Sequence, residues 1–405
     1  MDLTFLVFVF LTAVLFFGSR GYKFREWNDE ALSLEQTKML QGFCALVIAF
    51  HHMSQKTCAP WNPPNVNVDG INIFLYVGYL LVGVFFFCSG FGLFKSYKTK
   101  ENYLKGFIVR RVIPIFAAFV LSEIIFIVIR FFLGEKMTFD KIWKYVIGIN
   151  LSNNNGWFVL VLPLFYIFFW IGFRFFKNER VKVIVTCVLG LLFFALGVMF
   201  INKDFWSQAY LQFPFYKKAA ALKFNWPDEW WHCSTLLFFV GIVFAQYEEK
   251  IVWLLKKIYW VMLPISIALC AYFHFLGKKH NDMMYNPEVN KTLGQVFMRH
   301  GELLVFKNLA CLFFVLVCIL LLMKIRIGNP FLKFMGTITM EFYLMHGMFV
   351  EFFGFDFFNT LHSIYWVKNV PLYVLLVIAC SIPVALLFKL MLMPVNKLCG
   401  KKKKV

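Results

Sequence analysis

The chain reads as an all-α, polytopic membrane helical bundle with about 11 (10–11) transmembrane helices. Three observations predict this. Hydrophobic residues make up 60% of the 405, phenylalanine alone numbers 54, and mean hydropathy is +0.69, so the apolar surface exceeds what a water-soluble core encloses. Most of the apolar runs reach the roughly 20 residues that a helix needs to cross a bilayer. None shows the alternation of a barrel strand.

In chain order the spans are expected at roughly 3–18, 37–53, 70–95, 107–133, 157–176, 182–201, 233–247, 251–276, 303–323, 331–354 and 370–394. The first opens on Asp2 instead of a basic stretch and has no small-residue cleavage pattern before Arg20, so it is read as an extra N-terminal span and not as a secretory signal. The second is notable for ending in His51-His52. The segments 202–232 and 277–302 are the longest between spans and are expected to cap one face. With no internal repeat, low-complexity linker or soluble domain, residues 1–405 are expected to form one integral membrane domain.

Lysine and arginine set the orientation. If Lys401-Lys402-Lys403-Lys404 is cytoplasmic, the segments on that side hold 25 Lys/Arg against 13 opposite, and Lys95 to Arg111 alone holds six. The expected location is therefore the plasma (inner) membrane, multi-pass, with a cytoplasmic C-terminus. The same bias accounts for much of the +19 net charge, so no nucleic-acid partner is expected; membrane lipid is. The ten cysteines show no Cys-x-x-Cys spacing and seven lie inside predicted spans, which argues against a metal centre. Only Cys58 and Cys233 lie in or beside predicted outer loops, where one disulfide is conceivable.

Ionisable side chains inside spans are the natural functional candidates. His51-His52 comes first, because imidazole accepts and returns a proton near neutral pH. Eleven residues at 100° each make 1100°, so Gln41 and His52 share one stripe about 16 Å apart along the axis, whereas His51 shares a stripe with Cys44. For His52 the choice is between a general base and a hydrogen-bonded structural histidine; for His51 the structural reading is favoured. His346 and Glu341 fall in the tenth span and Glu123 in the fourth, where a lone carboxylate must be protonated or paired. Glu341 and His346 are 140° apart around a helix, so both cannot face one cavity squarely.

Five stretches stand in a telling order. They are Gln41-Gly42 with His52, Phe85-Phe86-Phe87-Cys88-Ser89-Gly90-Phe91, Arg110-Arg111-Val112-Ile113-Pro114, Trp157-Phe158, and Gly336-Thr337-Ile338-Thr339 with Tyr343-Leu344-Met345-His346. Together they resemble the acyltransferase-3 family of integral membrane O-acyltransferases that modify glycans, over roughly residues 36–350. One position departs from the pattern: the family has Arg or Lys where this chain has Gln41. A neutral amide cannot supply that charge, so either Lys38, about 40° from His52 around the helix, compensates, or the protein has a changed donor or lost activity.

The resemblance implies an O-acyltransferase that moves an acyl group, typically acetyl, from cytosolic acyl-CoA to a hydroxyl of an extracytoplasmic or lipid-linked glycan. Acyl-CoA would be a co-substrate, with no bound cofactor. His52, His346 and Glu123 are then the catalytic candidates. Lys38, Gln41, Arg110, Arg111 and Ser89 are the donor-binding candidates, although the arginine pair equally suits a positive-inside anchor and Ser89 a packing role. Trp157, Trp230 and Trp231 are the acceptor-binding candidates; beside them Trp226 and His232 fit an interfacial belt as readily as a sugar platform. The rival reading is a non-enzymatic carrier or exporter on the same scaffold, which would use Glu123 and Glu341 as proton sites.

Overall fold

Residues 5–67, 70–199, 229–284, 289, 292–356 and 361–400 are described in a computed structural model of the chain. The predicted spans emerge as helices. They are α1 (Phe5–Phe16), α2 (Leu34–Thr57), α3 (Gly78–Thr99), α4 (Ile113–Phe132), the short α5 (Phe139–Val146), α6 (Trp157–Phe175) and α7 (Glu179–Met199). After them come α8 (Leu236–Gln246), α9 (Glu248–Met284), α10 (Leu293–Lys324), the short α11 (Pro330–Met335), α12 (Thr339–Phe353) and α13 (Val370–Leu398).

Among the described residues seven helical segments are long and apolar enough to cross a membrane: Gly78–Thr99, Ile108–Phe132, Asn154–Phe175, Glu179–Val198, Glu248–Met283, Gly294–Lys324 and Val370–Leu398. The expected count of eleven is therefore not reached on length and composition. Helices stand at the other four positions, but α1, α8 and α12 have only 12, 11 and 15 residues, and α2 carries polar side chains along much of its 24. The predicted span at 331–354 is two helices. Pro330 starts α11 at its first turn, and the break at Gly336–Ile338 lets α12 restart in a new direction. Glu341 accordingly sits in the first turn of α12 and not in mid-span, where the helix dipole favours a carboxylate.

Two further expectations shift. Much of 277–302 is helical, because α9 runs on to Met284 and the Thr292/Gln295 capping box starts α10 at Leu293. Cys58 and Cys233 are not joined: the first caps α2, and the second is buried beside Cys311. Residues 202–228, with most of the expected outer cap, lie outside the described residues.

Specific polar contacts tie the ends of the bundle. A two-residue antiparallel pairing, Arg20↔Arg326 and Gly21↔Ile325, holds the α1–α2 linker to the end of α10. There Lys324 Nζ donates to the carbonyls of Lys23, Phe24 and Glu26 at 2.6–2.9 Å and lies 3.8 Å from the Trp27 ring centroid. On α2, Gln36 donates to Ile327 O and accepts from Ile327 N, both at 2.8 Å. These bonds satisfy backbone groups of Lys23, Phe24, Glu26 and Ile327 in the linkers between helices.

Candidate active site

The centre of interest is the packing of α2 on the α11–α12 pair, which is fixed at two points. At one end Gly42 meets Gly336: a Cβ on Gly42 would lie 2.8 Å from Gly336 N and from Leu332 O, closer than side chains pack. At the other end Lys56 Nζ and Glu351 Oε2 are 2.8 Å apart, their side chains only 9% and 15% exposed. A charge so buried needs its partner, so this pair holds the helix ends together.

Between these two contacts lie three histidine rings. The His51 and His52 centroids are 5.0 Å apart and those of His52 and His346 are 5.3 Å apart. His51 Nδ1 is 2.8 Å from Phe74 O, and Gln55 lies between the two α2 histidines, 3.4 Å from His51 Nε2 and 3.2 Å from His52 Nδ1. His346 is fully buried; its Nδ1 is 3.0 Å from Phe342 O and its Nε2 has no hydrogen-bond partner among the described residues. His51 and His52 are half-buried. Two helices remote in sequence therefore bring His52 and His346, each a separate candidate from the sequence, into ring contact.

The donor candidates are spread along the bundle from this cluster. Gln41 is 9% exposed on α2, three turns before His52, while Lys38 is exposed and close enough to Cys88 for its charge to act on that thiol. Ser89 is half-buried beside the Tyr166 hydroxyl. Its neighbour Gly90 abuts the Phe238 backbone, and a Cβ on Gly241 would lie 2.9 Å from Phe91 N, so the Ser-Gly-Phe stretch forms the close crossing of α3 and α8.

Arg110 and Arg111 lie in a π turn over Ile108–Val112, closed by Ile113 N–H to Ile108 O. The two guanidiniums take different surroundings. Arg110 is exposed and donates to the carbonyls of Lys105 and Tyr103; Arg111 is half-buried, its Cζ 5.5 Å from the Tyr103 ring centroid. Beside them opens a cleft of about 810 Å³ whose lining includes Tyr97, Lys100, Tyr103, Lys105, Phe107 and Arg174. It is basic and aromatic, which suits a phosphorylated, ring-bearing ligand.

Glu123 is fully buried and joined to the loop before α6. Ser152 donates to Oε2 through N at 2.6 Å and through Oγ at 2.7 Å, and Asn153 N donates to Oε1 at 3.3 Å. Asn153 Nδ2 in turn donates to Leu344 O at 2.8 Å, so Glu123 reaches the His346 helix through this loop. The loop delivers Trp157, which stacks on Trp231 at 6.5 Å with 22° between planes. Both tryptophans are buried, at 8% and 4% exposure, and so belong to the packed interior. His232 is buried against the Phe193 ring at 4.7 Å; Trp226 and the side chain of Trp230 lie outside the described residues.

Sequence reasoning passed over Gln55, Lys56, Asn153 and Glu351. Gln55 and Lys56 carried a usable signal, since each stands four residues after a histidine on the same helical face. Asn153 and Glu351 carried none, because their partners come from elsewhere in the chain. Among the described residues no group of three or more His, Cys, Asp or Glu side chains is placed to hold a metal ion.

Comparison with known families identifies the domain. The acyltransferase-3 family model, described as an acyltransferase domain, matches residues 37–390. The match runs beyond the last motif through most of α13, a helix that packs on α12 and α4. No curated protein and no solved structure matches the chain. With nearly its whole length covered, the chain belongs to the acyltransferase-3 family and is a multi-pass membrane acyltransferase.

Proposed function

We propose that the protein transfers an acyl group, acetyl in the simplest case, from cytosolic acyl-CoA to a hydroxyl of an extracytoplasmic or lipid-linked glycan. The observation that carries this reading is the cluster of His51, His52 and His346 inside an apolar bundle. Such a cluster has little structural reason to exist in a membrane, whereas acyl transfer requires a base.

The chemistry is balanced by one proton. His52 takes the proton of the acceptor hydroxyl as its oxygen attacks the thioester carbonyl; the carbon–sulfur bond breaks, and the coenzyme A thiolate leaves and takes that proton. At the Lys/Arg-rich end, assigned to the cytoplasm, Arg111, Lys100 and Lys105 face phosphate, while Lys38 stands in for the charge that Gln41 lacks. Lys38 and His52 are about 21 Å apart along α2, a length the extended pantetheine arm would have to cover.

The test is coenzyme A release from acetyl-CoA by purified protein in liposomes, with a panel of glycan acceptors. His52→Ala should lower acceptor-dependent release by about 10² or more without loss of folded protein. Gln41→Arg should preserve activity and partly rescue Lys38→Ala. A non-enzymatic carrier on the same scaffold would release no coenzyme A with any acceptor, whatever stands at position 41, and that result would overturn the proposal.

A further inference from the structure

The hydrogen bonds around Gln55 determine which nitrogen of His52 carries the proton. The Phe74 carbonyl can only accept. His51 Nδ1, 2.8 Å away, must therefore be the protonated nitrogen of that ring, and His51 Nε2 is left with a lone pair. An acceptor at that position orients the Gln55 side chain. Its amide NH₂ faces His51 Nε2 at 3.4 Å, and its oxygen is directed to His52 Nδ1 at 3.2 Å. The reverse amide orientation would set an oxygen lone pair against the His51 lone pair and an NH₂ against His52. Because the Gln55 oxygen also can only accept, the proton of His52 belongs on Nδ1, and its Nε2 is bare.

We infer that Gln55 and His51 are positioning residues that hold His52 in the Nε2-basic tautomer, as the second link in a relay from a backbone carbonyl. The arrangement is built from short-range helix geometry. Residues 51, 52 and 55 lie within about one turn of α2, and Asn62 Nδ2 donates to the backbone carbonyl of Gln55 at 3.1 Å, which anchors the main chain at that position. The function resembles that of the carboxylate in a hydrolase triad, where an acceptor on Nδ1 orients and fixes the base. Here the acceptor is neutral, so it adds no charge to the apolar interior.

The inference rests on the proposed role of His52 only for its consequence, not for its geometry, so two readouts are needed. In protein labelled with ¹⁵N-histidine, the His52 resonances, assigned by their loss in His52→Asn, should show a protonated Nδ1 and an unprotonated Nε2. Gln55→Leu should mix the tautomers and lower kcat about tenfold or more, with KM little changed. Gln55→Glu keeps an acceptor for His52 Nδ1, although it sets a second oxygen against His51 Nε2, and should retain the His52 tautomer even if Gln55→Leu folds poorly. A wild-type His52 protonated on Nε2, or a tautomer unmoved in a folded Gln55→Leu protein, would overturn the inference. If instead the tautomer moves as expected while His52→Ala remains fully active, the positioning stands and the role of His52 as base fails.

Discussion

Replacing Glu123 by glutamine and by alanine distinguishes a residue that builds the site from one that works in it. Its carboxylate accepts two short bonds at Oε2, from Ser152 N and Oγ, and one longer bond at Oε1, from Asn153 N at 3.3 Å. Glutamine with its oxygen at the Oε2 position keeps the short pair and turns its NH₂ toward the Asn153 amide, a loss of about 1 kcal/mol. Alanine instead leaves two buried backbone donors, Ser152 N and Asn153 N, without an acceptor, at about 1–3 kcal/mol each, while Ser152 Oγ keeps the carbonyl of residue 123 as its acceptor at 3.1 Å. The destabilisation is then about 2 kcal/mol at the least, a large share of what holds a folded protein together. Because Asn153 also bonds Leu344 O, the loss should propagate to the His346 helix. Thermal unfolding in detergent and acyl transfer in liposomes measure both effects. Glu123→Gln should unfold within about 4 °C of the parent and retain transfer within a few-fold; Glu123→Ala should unfold much earlier or fail to accumulate. Well-folded Glu123→Gln protein with no transfer would refute the building role and make the carboxyl itself part of the chemistry.

Glu135 lies between α4 and α5, outside the spans; burial raises its pKa, but Lys141 and Arg130 outweigh this and hold it below the usual carboxylate value. Its contribution is therefore present above pH about 4.5 and lost as pH falls through the lower folded value, so the unfolding midpoint should drop on acidification less steeply in Glu135→Gln than in the parent. Gly42→Ala should destabilise by about 1–3 kcal/mol, because its Cβ would meet the Gly336 and Leu332 backbone, whereas Gly92→Ala, with nothing within 4 Å, should be neutral or stabilising in the same unfolding assay. A membrane-impermeant thiol reagent on intact cells should label Lys136→Cys above the parent background and spare Lys100→Cys; the opposite pattern would invert the proposed orientation.

Helix positions were readable because apolar run length is a local property, and Lys or Arg marks many of the ends. What the sequence hid was non-local. The split at Gly336–Ile338 follows from the approach of Gly42 on a distant helix, and the α5 helix inside an expected loop follows from the Thr138 cap, which is short and carries no long apolar run. In the site, the family motifs singled out His52 and His346 individually, but their approach was not legible, since no periodicity relates two helices so far apart in the chain. Gln55 and Lys56 were legible in principle from helical spacing. Glu351 and Asn153 were not, for each acquires its role from a partner that folding supplies.

The π turn at Ile108–Val112 amounts to one residue more than a regular α-helix accommodates over that stretch. Deleting a single residue there would let the ladder close in the ordinary way, and every side chain upstream would rotate by about 100° relative to Pro114 and the rest of α4. Arg111 would leave Tyr103 although neither residue had been changed. The aim of the basic pair is thus a matter of chain length, and at this point a one-residue deletion is a more drastic edit than most substitutions.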